Sequence, residues 1–189
     1  KEKLQELVEV AHKVEEVIGR KLEVISGGAT SSYMRLMDGD MPPEINNLRI
    51  GEGALLGRDF ISHYGYTEAQ TNIKTDAYRL LAEVIEVKDK PTHPVGEIGV
   101  DAFGHKPKYI DRGIRRRAIV AVGKVDYCDP FDIFPVEEGI TVIGASSDHT
   151  LLDIEDAREI KVGDILEFEV CYGSLVFLTN SNNVSIEVR

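Results

Sequence analysis

The stretch "KLEVISGGATSSYMRLM", Lys21 to Met37, decides the fold of the first part of the chain. Its first half is β-prone and apolar and ends at the glycine pair Gly27 and Gly28. Hydroxyl residues then precede an apolar run with helical spacing, which is how a capped helix begins. A strand that passes through a glycine turn into a helix is the repeating unit of α/β proteins.

The segments on either side extend this pattern. "KEKLQELVEVAHKVEEVIGR" at the start has apolar residues at helical spacing and lacks an initial methionine and a capping residue, so we expect polypeptide upstream of it. "INNLRIGEGALLG", residues 45–57, is a second strand-like run broken by glycines. The order helix, strand, glycine loop, helix, strand predicts a parallel sheet or a (β/α) barrel.

From about Ala77 the pattern changes to short β-prone runs separated by glycine, proline and asparagine turns. These runs predict a mostly antiparallel β domain, with a boundary between Asn72 and Ala77. The expected fold class is therefore α/β plus all-β, divided into residues 1–74 and 75–189. The runs are "AYRLLAEVIEVKDK", "RRAIVAVGKV", "GITVIGA", "HTLLDI", "DILEFEVCY", "LVFLT" and "VSIEVR".

Composition restricts the partners of the chain. A formal net charge of −11 opposes nonspecific binding to nucleic acid. Apolar runs stay well short of the ~20 residues that a membrane span needs, so the cytoplasm is the expected location. Cys128 and Cys171 are far apart and are expected to be core thiols, and the histidines lack the spacing of a metal site.

Two glycine loops are candidates for binding a phosphate. "SGGATSS", residues 26–32, offers backbone N–H groups, hydroxyls and the positive end of a helix. "LRIGEG", residues 48–53, is a second such loop, and barrel phosphate sites are commonly built from two consecutive loops. An ordinary strand-to-helix turn with a Ser/Thr cap explains the first loop taken alone.

Charged residues supply further candidates. Arg49 lies in a predicted buried strand, where it needs either an internal salt bridge with Glu52 or Asp59 or an anionic ligand. Asp148 and His149 are adjacent on a predicted turn, where they are either turn residues or a proton-transfer pair. The basic run 115–117 is predicted to be a strand edge with a solvated face.

Four strings in order, "SGGATSS", "INNLRIGEGALLG", "PVGEIGVDAFGHKP" and "VIGASSDHTLLDI", resemble the C-terminal part of ornithine racemases. These are alanine-racemase-type enzymes that use pyridoxal phosphate (PLP). The resemblance covers nearly all of the 189 residues. It implies the end of a (β/α)8 barrel (TIM barrel) followed by a β domain that completes the active site of the other subunit in a head-to-tail homodimer. The family's Schiff-base lysine has no match in this chain, so the chain alone is expected to be inactive.

The resemblance also assigns roles to residues. It implies that Thr30, Gly51, Glu52 and Tyr172 bind the PLP phosphate, with Gly51 and Glu52 acting through backbone N–H groups. Arg49 matches the arginine that faces the pyridine nitrogen. Because a guanidinium does not readily release its proton, that nitrogen would stay unprotonated.

Departures from the family leave the second catalytic base open. Ala29 replaces an asparagine, and the catalytic tyrosine has its nearest match in Ala102-Phe103-Gly104. A Met-Asp-Gln string corresponds to residues 147–149. The candidates for the opposite-face base are Asp101, Asp148 and His149, or these acids hold the ammonium of a basic substrate. His105 is expected near the same pocket.

The resemblance thus indicates an amino-acid racemase for ornithine or another basic amino acid. Alanine is the alternative substrate, disfavoured by the missing tyrosine. A non-catalytic PLP-binding protein of the single-barrel kind is a second class, although such proteins have no β domain. A dimerisation module without activity is a third.

Overall fold

The computed structural model describes residues 1–62, 64–71, 73–100, 104 and 109–188. The chain forms two compact units, Lys1–Ala77 and Tyr78–Arg189. No helix in the described ranges has both the length and the apolar character needed to cross a membrane.

The first unit is helical, and the predicted first helix is confirmed. Helix α1 packs on a small apolar core that includes Val8, Ala11, Ile25 and Ile45. It ends at Gly19, whose φ of 69° is the left-handed conformation that favours glycine at a helix end. The described helices of this unit are α1 Glu2–Ile18, α2 Thr30–Met37, α3 Glu52–Leu55, α4 Arg58–Ser62 and α5 Glu68–Thr71.

The two predicted strands of this unit are reduced to one parallel bridge, between Ser26 and Asn47. The parallel direction agrees with the α/β pattern, but the two regular strands were predicted wrongly. Side-chain bonds replace part of the ladder, because Asn46 Oδ1 accepts from the Ile25 N–H at 2.9 Å and Nδ2 donates to the Glu23 carbonyl at 2.8 Å. A side chain that bonds to the backbone in this way competes with regular sheet.

The second unit is an antiparallel β domain, as predicted. Its six described strands lie in the order β3-β6-β1-β2-β5-β4. They are β1 Leu80–Pro91, β2 Ile114–Val120, β3 Ile133–Pro135, β4 Thr141–Ala145, β5 Thr150–Asp153 and β6 Ile165–Val170. Two short helices, α6 Lys124–Tyr127 and α7 Tyr172–Leu178, and a 3₁₀ turn, Pro130–Asp132, accompany the sheet.

Alternating side chains of the strands form the core of this unit. Leu80, Ala82 and Val84 of β1 are buried while the residues between them are exposed. Val84 pairs with Val120 of β2, and Leu80 pairs with Phe168 of β6. This period of two is what a sheet with one buried face requires, and it explains why the sequence pattern was informative.

The basic run does not lie at a sheet edge, which corrects the prediction. Strand β2 runs between β1 and β5, and Arg115 donates to Asp153 at 2.7 Å and to Asp156 at 2.6 Å. Burial alone would raise the pKa of the Asp153 carboxyl, but bonds from Arg115 and from the Glu155 N–H outweigh it, so that pKa is lowered. Arg115 is therefore a structural residue.

Two predicted strands near the end of the chain are wrong. "LVFLT", residues 175–179, lies largely in helix α7, where Ser174, Leu175 and Leu178 are buried at helical spacing. Packing on one helical face overrides the β propensity of these residues. "VSIEVR" forms no strand over its described residues 184–188. Cys128 is exposed and Cys171 is partly exposed, so the expectation of core thiols was also wrong.

Candidate functional site

The predicted phosphate-binding residues of the first unit lie at the starts of two helices. Thr30 is the first residue of α2 and Glu52 is the first residue of α3. The Gly53 N–H donates to Thr30 Oγ1 at 3.1 Å and so joins the two helix starts. Thr30 lies 21 positions before Gly51 in the sequence, and this bond brings it close to Gly51 and Glu52.

Backbone bonds between the two loops hold this arrangement in place. The Gly27 N–H donates to the Asn47 carbonyl at 3.0 Å, and the Arg49 N–H donates to the Gly28 carbonyl at 3.0 Å. Gly28 has a φ of +112°, and a Cβ there would lie 2.0 Å from Ser32 Oγ. Glycine is thus required at the point where the first loop turns into α2.

The other glycines show where the loops are tight and where they are open. A Cβ at Gly53 would lie 2.6 Å from the Phe60 ring and 2.9 Å from Thr30 Cγ2, so the two loops pack without space on that side. At Gly51 an added Cβ would meet no described atom within 4 Å. The loops are close-packed at Gly53 and open at Gly51.

The residues present fit a phosphate group. In the described residues, neither Ala29, the N-cap of α2, nor Gly51, the N-cap of α3, makes a side-chain capping bond. Among the described residues, the first N–H groups of the two helices therefore lack a capping side chain of their own, and only that of Gly53 has a side-chain acceptor, Thr30 Oγ1. The Thr30 oxygen accepts from Gly53, which leaves its own O–H proton to donate to an anion. Glu52 suits this role through its backbone N–H, because its carboxylate would repel a phosphate.

Arg49 is exposed and lies in an irregular segment, which corrects the prediction of a buried strand residue. Among the described residues this segment forms backbone bonds on one side only, to residues 25–28, so it is not the central strand that would bury its side chains. Within the described part of the chain its guanidinium forms no salt bridge with Glu52 or with any other acid. The side chain of Asp59, the other predicted partner, lies outside the described residues.

The remaining predicted site residues belong to the second unit. Tyr172 is the first residue of α7 and its side chain is 42% exposed. Asp148 and His149 are exposed and lie in the four-residue turn that joins β4 to β5. This turn is closed by the Ser146 N–H, which donates to the His149 carbonyl at 2.9 Å. Asp101 and His105 lie outside the described residues.

Sequence reasoning missed the segment that supports the Asp148-His149 turn. The N–H groups of Lys124 and Val125, at the start of α6, donate to the carbonyls of Ser146 and Ser147, both at 3.0 Å. A Cβ at Gly123 would lie 2.2 Å from the Ser147 carbonyl oxygen, so the two backbones touch. The signal in the sequence was a glycine between an apolar strand and a charged turn, which marks close backbone approach.

Buried polar groups fix the same segment from its other side. The buried carboxylate of Asp126 accepts from the Gly123 N–H at 3.1 Å and from Ser181 Oγ at 2.7 Å. The fully buried Tyr127 hydroxyl bonds to Thr150 Oγ1 at the start of β5. Burial, opposed by that bond, raises the pKa of Tyr127 to about 12. Tyr127 is therefore a neutral structural group.

The segment ends in a strained turn. Cys128 has φ 74° and ψ −71°, and the Asp129 N–H donates to the Tyr127 carbonyl at 3.1 Å, which is the geometry of a γ-turn. A non-glycine residue in this conformation persists where its surroundings determine it, as they often do near functional sites.

Comparison with known proteins gives closely related sequences. The chain is 41% identical over 174 residues to an ornithine racemase of Acetoanaerobium sticklandii, covering 92% of this chain and 48% of that protein. It is 42% identical over 176 residues to a lysine racemase of Thermotoga maritima, covering 93% and 48%. The chain thus spans about half the length of these curated relatives. No family model matches it.

Solved structures share the fold at low identity. An alanine racemase from Oenococcus oeni has a TM-score of 0.52 at 15% identity, over 92% of this chain and 48% of that one. A D-threonine aldolase from Filomicrobium marinum has a TM-score of 0.53 at 16% identity, over 85% and 36%. With 41% and 42% identity over at least 92% of its length, the chain is similar in sequence to about half of each of two racemases, and it shares the fold of an alanine racemase.

Proposed function

We propose that this chain is part of a PLP-dependent racemase that interconverts the L and D forms of ornithine or a similar basic amino acid. The observation that carries the proposal is the identity of 41% and 42%, over at least 92% of the chain, to two racemases named for basic amino acids. Because the chain spans about half of each relative, the activity is proposed for a polypeptide that also contains the counterpart of the other half.

The first unit would hold the phosphate of the coenzyme. Two helix starts joined by the bond from Gly53 to Thr30, with open space at Gly51, support this role. Thr30 would donate its hydroxyl proton, and Gly51 and Glu52 their backbone N–H groups. Tyr172 is a further phosphate contact, proposed from the β domain, where its exposed side chain at the start of α7 is accessible to a ligand.

Arg49 would face the ring nitrogen of the coenzyme. Its exposed guanidinium is not committed to an acid among the described residues, so the charge remains available to a ligand. A guanidinium keeps its protons at any accessible pH, so it can donate a hydrogen bond to the nitrogen but cannot protonate it. The bound coenzyme supplies electron withdrawal from the substrate carbon, and Arg49 moderates how much.

The β domain would supply groups that act on the substrate. Racemisation needs an acid/base on each face of the α-carbon, since the proton leaves one face and returns to the other. Asp148 and His149, exposed together on one short turn, and Asp101 are the proposed candidates. The carboxylate of Asp148 also suits the side-chain ammonium of a basic substrate, which favours ornithine or lysine over alanine.

The partner of each subunit is proposed to be a second copy. In a head-to-tail homodimer, the β domain of one subunit would complete the site of the other. A cytoplasmic location follows from the same proposal, since the substrates are free amino acids.

The test compares substrates with the complete enzyme. We expect racemisation of L-ornithine or L-lysine, followed by chiral chromatography, to exceed that of L-alanine by at least 100-fold in kcat/KM. Absorbance of the coenzyme in the purified enzyme checks the cofactor separately. An enzyme free of coenzyme, or one that acts on alanine as well as on ornithine, would refute the corresponding part of the proposal.

A further inference from the structure

The outer face of strand β2 carries an arginine, Arg117, whose guanidinium is unpaired among the described residues. Arg117 lies opposite Lys88 of β1 on one side and opposite Asp153 of β5 on the other. Residues paired in this way in antiparallel strands point to the same face of a sheet. Ala118, the next residue of β2, is 1% exposed and belongs to the core, so Arg117 lies on the outer face.

The other cations around Arg117 already have carboxylate partners. Glu86 accepts from Lys88 at 2.5 Å and from Lys90 at 3.1 Å, and these bonds lower the pKa of the Glu86 carboxyl. Arg115 holds two further carboxylates. These residues form the Arg117 cluster, which has four cations and three carboxylates: Glu86, Lys88, Lys90, Arg115, Arg117, Asp153 and Asp156.

The carboxylate opposite Arg117 is engaged by other donors. Asp153 Oδ2 accepts from Arg115 at 2.7 Å, and Oδ1 accepts from the Glu155 N–H at 3.2 Å. Within the described ranges Arg117 forms no salt bridge, and its Nε atom is buried without a hydrogen-bond acceptor. A guanidinium keeps its charge at any accessible pH, and a buried donor without an acceptor is costly. Arg117 therefore calls for an acceptor from outside this chain.

A second copy of the chain is the occupant that the charge distribution favours. Two copies, each with a formal net charge of −11, repel each other, so their association is favoured where a basic surface of one meets acidic groups of the other. The Arg117 cluster is such a surface, and each chain has 33 aspartates and glutamates. A carboxylate suits Arg117 because it accepts two parallel hydrogen bonds from a guanidinium.

We propose that Arg117 anchors an interface with a second copy of this chain, in which its guanidinium binds an aspartate or glutamate carboxylate of that copy through two hydrogen bonds. This inference rests on the proposed homodimer and names a surface through which it forms. Lys88 and Lys90 beside Arg117 add positive charge that favours the approach of an acidic group. The new bonds would satisfy the buried Nε and fix the register of the two copies.

Sedimentation equilibrium of the complete enzyme and its Arg117→Met variant tests this interface. Methionine keeps an unbranched apolar side chain but removes the charge and the donors. We expect the dissociation constant of the dimer to rise at least about 10-fold, and to rise less for Arg117→Lys, which keeps the charge without the planar fork. Arg116→Met is the matched control, because it removes the same charge from an exposed side chain on the opposite face, and its constant should stay within about threefold of wild type.

A second measurement uses the wild-type enzyme and so does not depend on the folding of a variant. Phenylglyoxal labelling, read by peptide mass spectrometry, should be several-fold slower at Arg117 in the dimer than in the monomer obtained by dilution, with Arg116 labelled equally in both. A dissociation constant that Arg117→Met leaves unchanged, a rise that Arg116→Met reproduces, or equal labelling of Arg117 in both states would each overturn the proposal.

A free carboxylate is the other source of the same chemistry. If acetate stabilises the wild type but not Arg117→Met while the dimer is unchanged, the site takes a small anion and the assignment to a second copy is wrong. A wild-type enzyme that is monomeric at every concentration would refute the proposed homodimer itself. A stable dimer that racemises no amino acid would refute the proposed activity alone.

Discussion

Replacing Gly123 by alanine tests whether backbone contact between α6 and the Asp148-His149 turn stabilises the β domain. The φ of Gly123 is −142°, which alanine adopts without strain, so the effect is steric. The new Cβ would lie 2.2 Å from the Ser147 carbonyl oxygen. To restore normal contact the two segments must separate by about 1 Å.

That movement sets the size of the effect. The two bonds from Lys124 and Val125 to the turn, each 3.0 Å long, would lengthen beyond hydrogen-bonding range. Each is worth roughly 0.5–1.5 kcal/mol, and an overpacked site costs about 1–3 kcal/mol when the structure relaxes partly. We therefore expect Gly123→Ala to lower the free energy of unfolding of the β domain by about 2–4 kcal/mol.

The assay is urea unfolding followed by circular dichroism, since the sequence has no tryptophan. Hydrogen exchange at the Lys124 and Val125 amides gives a local reading, and both should exchange faster. Gly144→Ala is the matched control, because a Cβ at Gly144 in β4 would meet no described atom within 4 Å. A Gly123→Ala variant within about 0.5 kcal/mol of wild type, with protected amides, would refute the steric reasoning.

Three further predictions concern the cofactor site, a buried hydroxyl and the dimer. Thr30→Ala should weaken PLP binding at least 10-fold in a fluorescence titration, whereas Thr30→Ser keeps the hydroxyl and should bind within about threefold of wild type. The free energy of unfolding should fall between about pH 10 and 12. In that range an unfolded tyrosine ionises near pH 10, while folded Tyr127, with its pKa raised to about 12, still holds its proton. In alkaline unfolding, Tyr127→Phe should not show this loss of stability. Arg49→Ala should lose turnover far more than stability. Mixing it with Asp148→Ala subunits should regain about a quarter of wild-type racemisation if Asp148 acts across a head-to-tail dimer, since half of the dimers are mixed and hold one intact site of two.

Much of the fold could be predicted because burial leaves a periodic trace in the sequence. In β1 every second residue from Leu80 to Val84 is buried, and in α1 the buried residues Val8, Ala11 and Glu15 recur at helical spacing. Both patterns follow from one face of an element packing on a core. "LVFLT" misled because its residues have high β propensity, and the buried positions Leu175 and Leu178 are too few to establish a period.

The site was less predictable because it depends on contacts between residues distant in sequence. The glycine loops named the phosphate-binding candidates, but the bond from Gly53 to Thr30 links residues 23 positions apart, and sequence alone gave no pairing. Arg49 was expected to be buried because a strand was expected around it. The described residues around Arg49 form no regular strand, so the expected burial of its side chain was wrong. The proposed role of Arg49 depends only on its positive charge.

The contact between Gly123 and the turn positions two proposed site residues without a recognisable sequence motif. Asp148 and His149 alone are a common pair of turn residues. Gly123 lets the backbone at the start of α6 touch their turn, and the bonds of Asp126 and Tyr127 keep that segment in place. These supporting groups are buried and neutral or fully bonded, so they are suited to position rather than to react. Substituting them should therefore move the Asp148-His149 turn, whereas substituting Asp148 or His149 would remove a proposed acid/base group itself.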